Sequence, residues 1–289
     1  MEDQSTTRFR LDIAYQGTDF NGWGRQPGLR TVQGEIEAAF ATIFRRHGDA
    51  PTLTVAGRTD AGVHATGQVA HVDLTDAQVA SLQRRRGTHQ QFPLGEALRR
   101  RVNGVLGPVA DVILTEVTVA PEGFDARFSA IWRRYEYRVA DALALHDPLQ
   151  RHRTAWVSAQ LDVEAMDAAA LGLLGLHDFA SYCKPRDGAT TIRTLQSFGW
   201  TKDDDGVLVA EVKADAFCHS MVRALVGACV AVGEGRLAAE ELIALRDDRQ
   251  RTNAFKVMPA RGLTLKQVGY PDDVGLALRA LQTRAMRTL

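Results

Sequence analysis

Hydrophobic and polar residues alternate in the opening segment of the chain, and the spacing becomes helical shortly after it. Residues 9–15 place an apolar side chain at every second position, which predicts a half-buried strand. A glycine-rich segment, 17–28, follows. Residues 32–44 carry apolar side chains three or four positions apart, which predicts an amphipathic helix with Thr31 as its N-cap. The same patterns predict strands at 53–56, 70–74 and 112–119 and a helix at 94–106.

The second half of the chain repeats this mixture of strands and helices. Tyr135, Tyr137 and Val139 alternate with charged residues and predict a strand. Asp205-Gly206 suits the tight turn of a hairpin. The remaining expected elements are the two hairpin strands at 195–201 and 207–214, a strand at 262–269, and helices at 161–174, 220–232, 238–245 and the C-terminus. Hairpins beside helices predict an α+β fold with a largely antiparallel sheet, in two halves at 1–119 and 120–289.

Composition narrows the class of protein. The 289 residues are 45% apolar, and 35 basic residues balance 35 acidic ones, which excludes a mainly disordered chain. The most continuous apolar stretch, Leu225 to Gly233, is far shorter than the roughly 20 residues of a membrane helix. The polar, acidic start of the sequence lacks the basic and apolar regions of a signal peptide. We therefore expect a cytoplasmic protein.

Cysteine spacing and net charge argue against three further features. Cys183, Cys218 and Cys229 form no Cys-x-x-Cys motif, so we expect small buried apolar residues and not a disulfide scaffold or a zinc site. Zero net charge argues against indiscriminate binding of nucleic acid through the overall field. Residues 82–93 have no apolar period and include three consecutive arginines, which predicts an exposed basic loop.

The segment 57–68, Gly-Arg-Thr-Asp-Ala-Gly-Val-His-Ala-Thr-Gly-Gln, is the most unusual in the chain. Its three glycines predict a tight backbone path, and it lacks the Gly-Lys-Ser/Thr ending of a phosphate-binding loop. A carboxylate such as Asp60, held near the guanidinium of Arg58, stays ionised and can act as a nucleophile or base. From the residue types alone, a surface turn is the better explanation, because Asp and Gly are ordinary turn residues.

Seven segments that include this one follow one another in the order of a known family. They are residues 15–23, 31–34, 57–69, 124–130, 133–137, 216–223 and 259–263. Together, from about residue 8 to 270, they resemble the tRNA pseudouridine synthase A (TruA) family. The chain departs from the family pattern at Gly24, where glutamine is common, and at Ser220, where a histidine often stands.

The resemblance implies a fold and an activity. The fold would be that of pseudouridine synthases: two α+β halves of ferredoxin-like α/β-sandwich type that share a mostly antiparallel central sheet, with the active cleft between them. The activity would be isomerisation of uridine to pseudouridine at positions 38 to 40 of the tRNA anticodon stem-loop. The target base would be flipped out of the stem. Neither a metal nor another cofactor would be needed, and the enzyme would be a homodimer that binds tRNA.

The resemblance also implies roles for individual residues. Asp60 matches the essential aspartate, whose attack on the uracil ring, attack on the ribose or abstraction of a ribose proton all stay open. Tyr135 matches a tyrosine that stacks on the target base, although its strand pattern alone favours a core aromatic. Arg223 matches an arginine that pairs with the catalytic carboxylate. Phosphate contacts are assigned to Arg25 and Arg58, whereas the run 84–86 is interpreted as solvated charge.

Three other functions compete with this interpretation. An RNA-binding module without catalysis would keep the fold and the arginines but would not need Asp60. The same chemistry could act at another RNA site, because the motifs specify the reaction more firmly than the target. An aspartate-dependent hydrolase of a small substrate would need a second acid or base near Asp60. His64 is the nearby candidate for that base, although a structural hydrogen-bonding role suits it better.

Overall fold

The computed structural model describes residues 5–83, 92–186, 188 and 190–284. Within this part of the chain, two compact units are present. Unit 1 contains residues 5–130 and 270–284, and unit 2 contains residues 131–269. The strand that ends at Val119, beside the boundary expected from sequence, is followed by eleven further residues of unit 1.

Unit 1 is built on a mainly antiparallel sheet with helices. Its elements in chain order are β1 (Thr6–Tyr15), α1 (Val32–Phe44), β2 (Thr54–Val55), β3 (His64–Thr75), α2 (Asp76–Gln83), α3 (Leu94–Leu106) and β4 (Val112–Val119). Strand β1 pairs antiparallel with β3 on one side and β4 on the other, and β2 pairs with β3. Alternate residues of β1 are fully buried at Phe9, Leu11 and Ile13, as the sequence pattern predicts.

Unit 2 also combines antiparallel strands with helices. Its elements are β5 (Trp132–Ala140), β6 (Ala155–Trp156), α4 (Val163–Leu171), β7 (Gly175–Asp178), β8 (Ile192–Lys202), β9 (Leu208–Ala214), α5 (Met221–Gly233), α6 (Ala239–Asp248) and β10 (Leu263–Gly269). The strand order is β10-β5-β9-β8-β7, with antiparallel neighbours throughout, and β6 pairs parallel with β5. The last helix, α7 (Leu276–Arg284), belongs to unit 1.

Local sequence signals locate most of these elements. The Thr31 side chain accepts a hydrogen bond from the Gly34 amide, so it caps α1 as predicted. Helix α3 and strand β4 have the predicted bounds, and Gly206 adopts a φ of +80° in the turn of the β8–β9 hairpin. The α+β class with mainly antiparallel sheet is confirmed in both units.

Two expectations about local structure are wrong in part. Strand β3 begins at His64, six residues before the predicted start, because pairing with β1 extends it through a polar stretch. Residues 82 and 83 belong to helix α2, which the missing apolar period did not reveal. Residues 84–91 of the expected basic loop lie outside the described residues.

The expectation that all three cysteines are free is also wrong. Cys183 and Cys218 form a disulfide across 35 residues of sequence, with their Cα atoms 5.8 Å apart. The Lys184 amide donates to the His219 carbonyl, so the two backbone segments run side by side and bring the sulfur atoms together. Cys229 is fully buried and free, in agreement with the sequence.

A membrane-spanning helix is not found among the described residues. The most apolar helix, α5, has only 13 residues and is buried along nearly its whole length within unit 2. Its hydrophobic character is therefore that of a core helix.

Candidate active site

Asp60 lies in a tight turn between β2 and β3 in unit 1. Its side chain is half-buried, and its carbonyl accepts a hydrogen bond from the Val63 amide at 3.2 Å. Gly62 has a φ of +78°, a left-handed conformation that suits glycine. We refer to residues 57–63 as the aspartate loop. It is a surface turn, which agrees with the alternative interpretation of the sequence. Its backbone is nevertheless held at several points by the rest of unit 1.

The segment 17–23 packs directly against the aspartate loop. The Trp23 amide donates to the Thr59 carbonyl at 3.1 Å, and the Gly62 amide donates to the Phe20 carbonyl at 3.3 Å. A Cβ placed on Gly17 would lie 2.0 Å from the Val63 carbonyl oxygen, so only glycine allows this approach. The glycine-rich segment of the sequence thus serves as a close-fitting support for the loop that carries Asp60.

A buried polar network lies under the loop. The Tyr15 hydroxyl and the Thr59 hydroxyl are 2.8 Å apart, and the Gln68 amide donates to both the Tyr15 oxygen and the Gly57 carbonyl, at 3.2 and 3.0 Å. Tyr15, Thr59 and Gln68 are all buried. Burial raises the pKa of Tyr15 to about 12, against the effect of its hydrogen bonds, so the phenol stays protonated at neutral pH.

His64 has a structural hydrogen bond. Its Nδ1 atom accepts from the Gly17 amide at 2.9 Å, and the ring is only 5% exposed. A ring nitrogen that accepts a backbone amide is not available at that atom as a base. The predicted structural role of His64 is therefore confirmed.

The two arginines assigned to phosphate contacts are both exposed in unit 1. The Arg58 side chain passes over Gly24, where an added Cβ would lie 3.3 Å from the Arg58 Nε atom. The Arg25 side chain is 69% exposed and is 3.3 Å from the buried carboxylate of Glu37. Arg25 also lines a groove of about 500 Å³ beside α1, a groove to which Asp60 does not contribute.

Tyr135 is placed on β5 in unit 2 and is 9% exposed. Its ring meets the edge of Phe217 at a centroid distance of 5.1 Å and an interplanar angle of 89°. Tyr137, two residues further along the same strand, is fully buried and donates to the Pro259 carbonyl. Of the aromatic pair in this strand, Tyr137 is thus a core residue, whereas Tyr135 retains a little exposed surface.

Arg223 lies on the first turn of α5, also in unit 2. Its Nε atom donates to the Met258 carbonyl at 2.7 Å, and the Met258 amide donates back to the Arg223 carbonyl at 3.1 Å. Ser220, just before the helix, has a φ of +65°, which is unusual for a residue with a side chain. The start of α5 and the segment that contains Met258 therefore hold the Arg223 stem from two sides.

The described residues contain no group of three or more His, Cys, Asp or Glu side chains arranged to hold a metal ion. The charged side chains described above have other partners: Arg25 pairs with Glu37, and Arg223 donates to the Met258 carbonyl. What this arrangement offers chemically is one half-buried carboxylate on a braced loop in unit 1, and one aromatic ring and one guanidinium in unit 2.

Comparison with known proteins places the chain among close relatives. It is 71% identical to the tRNA pseudouridine synthase A of Leifsonia xyli over the full length of both chains. It is 53% identical to that of Frankia casuarinae, over 97% of this chain and 95% of the relative. The chain belongs to the tRNA pseudouridine synthase A family. A further relative of that name, from Mycobacterium leprae, is 48% identical over 97% of this chain and 96% of its own.

A family model described as tRNA pseudouridine synthase matches residues 169–271. In this member of the tRNA pseudouridine synthase A family, the matched region contains Phe217, Arg223 and Met258 but neither Asp60 nor Tyr135. The family is one of isomerases, and family membership rests on the full-length relatives.

Sequence reasoning missed the buried partners of the aspartate loop in this tRNA pseudouridine synthase A relative. The sequence identifies Tyr15 as an apolar position of β1 and as the first residue of a family segment, and Gln68 as part of another such segment, but it gives neither a polar partner. One signal was present: Gln68 directly precedes the apolar residues Val69 and Ala70, where a predicted strand begins, and an amide that becomes buried there needs partners. The partners themselves are 53 and 11 residues away and could not be named from the sequence.

Proposed function

We propose that the chain isomerises uridine to pseudouridine at positions 38 to 40 of the tRNA anticodon stem-loop, with Asp60 as the nucleophile. Family membership supports the class of reaction. The observation that carries the assignment of Asp60 is the bracing of its loop, whose residues on both sides of Asp60 are hydrogen-bonded to segment 17–23. A carboxylate must be fixed in this way to meet a reacting atom in a productive geometry.

The chemistry needs an ionised carboxylate but no electron acceptor. The N1–C1′ glycosidic bond of uridine breaks, the uracil turns, and C5 forms the new bond to C1′. C5 loses a proton while N1 gains one, so atoms and electrons balance within the nucleoside. The Asp60 carboxylate forms the transient covalent bond and leaves when the new C–C bond is complete.

The target base must leave the helical stack before Asp60 can reach it. Flipping costs a few kcal/mol, which contacts in the pocket offset. Tyr135 is assigned to stack on the flipped uracil, an interaction typically worth about 1–3 kcal/mol. Its ring is packed against Phe217, so little conformational freedom is lost on binding.

The remaining site residues supply positive charge. Arg223 is assigned to the reaction centre, as the partner of the Asp60 carboxylate, because it matches the family arginine with that role. Its half-buried side chain is held by the Met258 carbonyl, which supports a fixed position for the guanidinium. Arg25 and Arg58 are exposed and suit phosphate contacts along the RNA. We further propose that the enzyme is a cytoplasmic homodimer that uses neither a metal nor another cofactor.

The proposal is tested with an unmodified tRNA transcript in which pseudouridine is mapped by position. The wild type should convert uridine at positions 38 to 40, and Asp60→Asn should lower the single-turnover rate by at least about 10³-fold because the nucleophile is lost. Asp19→Asn is the matched control: it removes an exposed carboxylate from segment 17–23 and should leave the rate unchanged.

Each competing function gives a different result in this assay. Conversion only at another position would contradict the proposed anticodon target but support the proposed reaction. Binding of tRNA without conversion would favour the RNA-binding module. Release of free uracil would indicate a hydrolase. Conversion by Asp60→Asn at the wild-type rate would remove Asp60 from the mechanism.

A further inference from the structure

We propose that Gln68 is a positioning residue, whose buried amide holds the aspartate loop in the geometry in which Asp60 reaches the uridine. This inference rests on the proposed function of Asp60. Gln68 lies on β3, is fully buried, and does not belong to the set of residues assigned to substrate.

The hydrogen bonds of Gln68 use every polar group of its amide. The Nε2 atom donates to the Tyr15 hydroxyl at 3.2 Å and to the Gly57 carbonyl at 3.0 Å, and Oε1 accepts from the Val69 amide at 3.1 Å. An amide has two donor hydrogens on nitrogen, so both are engaged. The side chain therefore has one defined orientation.

These bonds connect Gln68 to two points of the loop. Gly57 is the first residue of the loop, and Gln68 contacts it directly. Thr59, the residue before Asp60, is reached through Tyr15, whose oxygen accepts from Gln68 and lies 2.8 Å from the Thr59 hydroxyl. Because a Gln Nε2 can only donate, the chain of bonds has a fixed direction at its first step. The amide thus fixes the path of the loop backbone through the residues that directly precede Asp60.

Removing the Gln68 amide leaves its buried partners unpaired and costs stability, but a core at this position could also be built without any amide. A buried amide loses its bonds to water, and well-packed apolar side chains generally stabilise a core at least as well as a polar group. A fully satisfied buried network gives the surrounding backbone a unique geometry. The loop needs such a geometry, since a displacement of about 1 Å at a reacting group can lower a rate about 10²-fold.

Unit 1 contains a matched control for the loss of a buried glutamine. Gln78 on α2 is 2% exposed, accepts from the Thr75 amide at 3.0 Å and donates to the Asp49 carbonyl at 2.9 Å. It has similar burial and hydrogen bonding, but Thr75 and Asp49 do not belong to the aspartate loop. Gln68→Met and Gln78→Met remove the same amide and keep a similar volume.

The experiment measures thermal unfolding, tRNA affinity and the single-turnover rate of pseudouridine formation for both variants. Both should lower the unfolding temperature by a similar amount and leave the dissociation constant for tRNA within about twofold. Only Gln68→Met should lower the single-turnover rate, by about 10- to 100-fold. Equal rates for the two variants, or a loss in Gln68→Met that is confined to tRNA affinity, would overturn the inference.

Tyr15→Phe provides a second test that keeps the aromatic ring. It removes the bond to Thr59 and should lower the rate in the same way, and the double variant should lose less than the product of the two single losses. Independent, multiplicative losses would contradict a shared path through Tyr15, and if Gln68→Met does not fold, an unchanged rate in Tyr15→Phe overturns the inference. Wild-type conversion and the Asp60→Asn loss, measured alongside, test the proposed function separately.

Discussion

Gly17 is a position at which a single added methyl group should lower both the stability and the activity of this protein. Its amide donates to His64, and its Cα lies so close to the aspartate loop that an added Cβ would be 2.0 Å from the Val63 carbonyl oxygen. Such contacts below 3.0 Å are essentially never seen, so in Gly17→Ala the two backbones must separate by at least about 1 Å. A backbone carbonyl, unlike the end of a flexible side chain, cannot turn away.

The expected loss of stability follows from these two contacts. Forcing extra volume into a packed site costs about 1–3 kcal/mol. Separation of the backbones also weakens the hydrogen bond from Gly17 to His64, worth about 1 kcal/mol. We expect Gly17→Ala to lower the free energy of unfolding by about 2–4 kcal/mol.

Activity should fall as well, because segment 17–23 braces the loop that carries Asp60. A shift of about 1 Å at the loop predicts a decrease of about 10²-fold in the single-turnover rate of pseudouridine formation. The rate should be measured at a temperature where circular dichroism shows the variant to be fully folded, so that unfolding does not account for the loss.

Gly57→Ala is the control within the loop itself. A Cβ there meets no atom within 4 Å, so the free energy of unfolding, measured with urea, should change by no more than about 0.5 kcal/mol. If Gly17→Ala unfolds at the same urea concentration as Gly57→Ala, the close approach of segment 17–23 to the loop does not limit stability. The packing argument would then be refuted.

Two further predictions concern a covalent link and an ion pair. Reducing the Cys183–Cys218 disulfide should lower the free energy of unfolding by up to about 4 kcal/mol, from the entropy of a closed loop of about 35 residues. Urea unfolding with and without dithiothreitol measures this, and a Cys183→Ser/Cys218→Ser variant should not respond to the reductant. Hydrogen bonds from Arg8 lower the pKa of Asp73. The pair therefore stabilises the fold at pH values above the ordinary pKa of a carboxyl group, and this contribution is lost as the pH falls through the lowered pKa. Because both side chains are more than a third exposed, the effect should be at most about 1 kcal/mol, and Asp73→Asn should reduce the loss of stability at acid pH.

Hydrophobic periodicity was sufficient to predict the bounds of elements that have one buried face and one solvent-exposed face. The bounds of α3 and β4 follow from the sequence, because burial of one face repeats at 3.6 or 2 residues whatever the element packs against. Helix α2 shows the limit of that signal. Its buried residues, Gln78, Ser81 and Leu82, are mostly polar, so no apolar stripe indicates the helix.

Ordered motifs and local periodicity are properties of the chain alone, and they were sufficient to predict the family, the α+β class and Asp60 as the candidate nucleophile. The residues that hold Asp60 in place became visible only in the folded chain. Tyr15 and Gln68 meet under the loop only because β1 and β3 pair with a register shift between Ile13 and Tyr15, and Cys183 meets Cys218 only because two distant segments lie side by side. Such contacts depend on the whole fold, since a buried hydrogen bond or disulfide needs two groups within a few ångströms and sequence separation does not specify that distance.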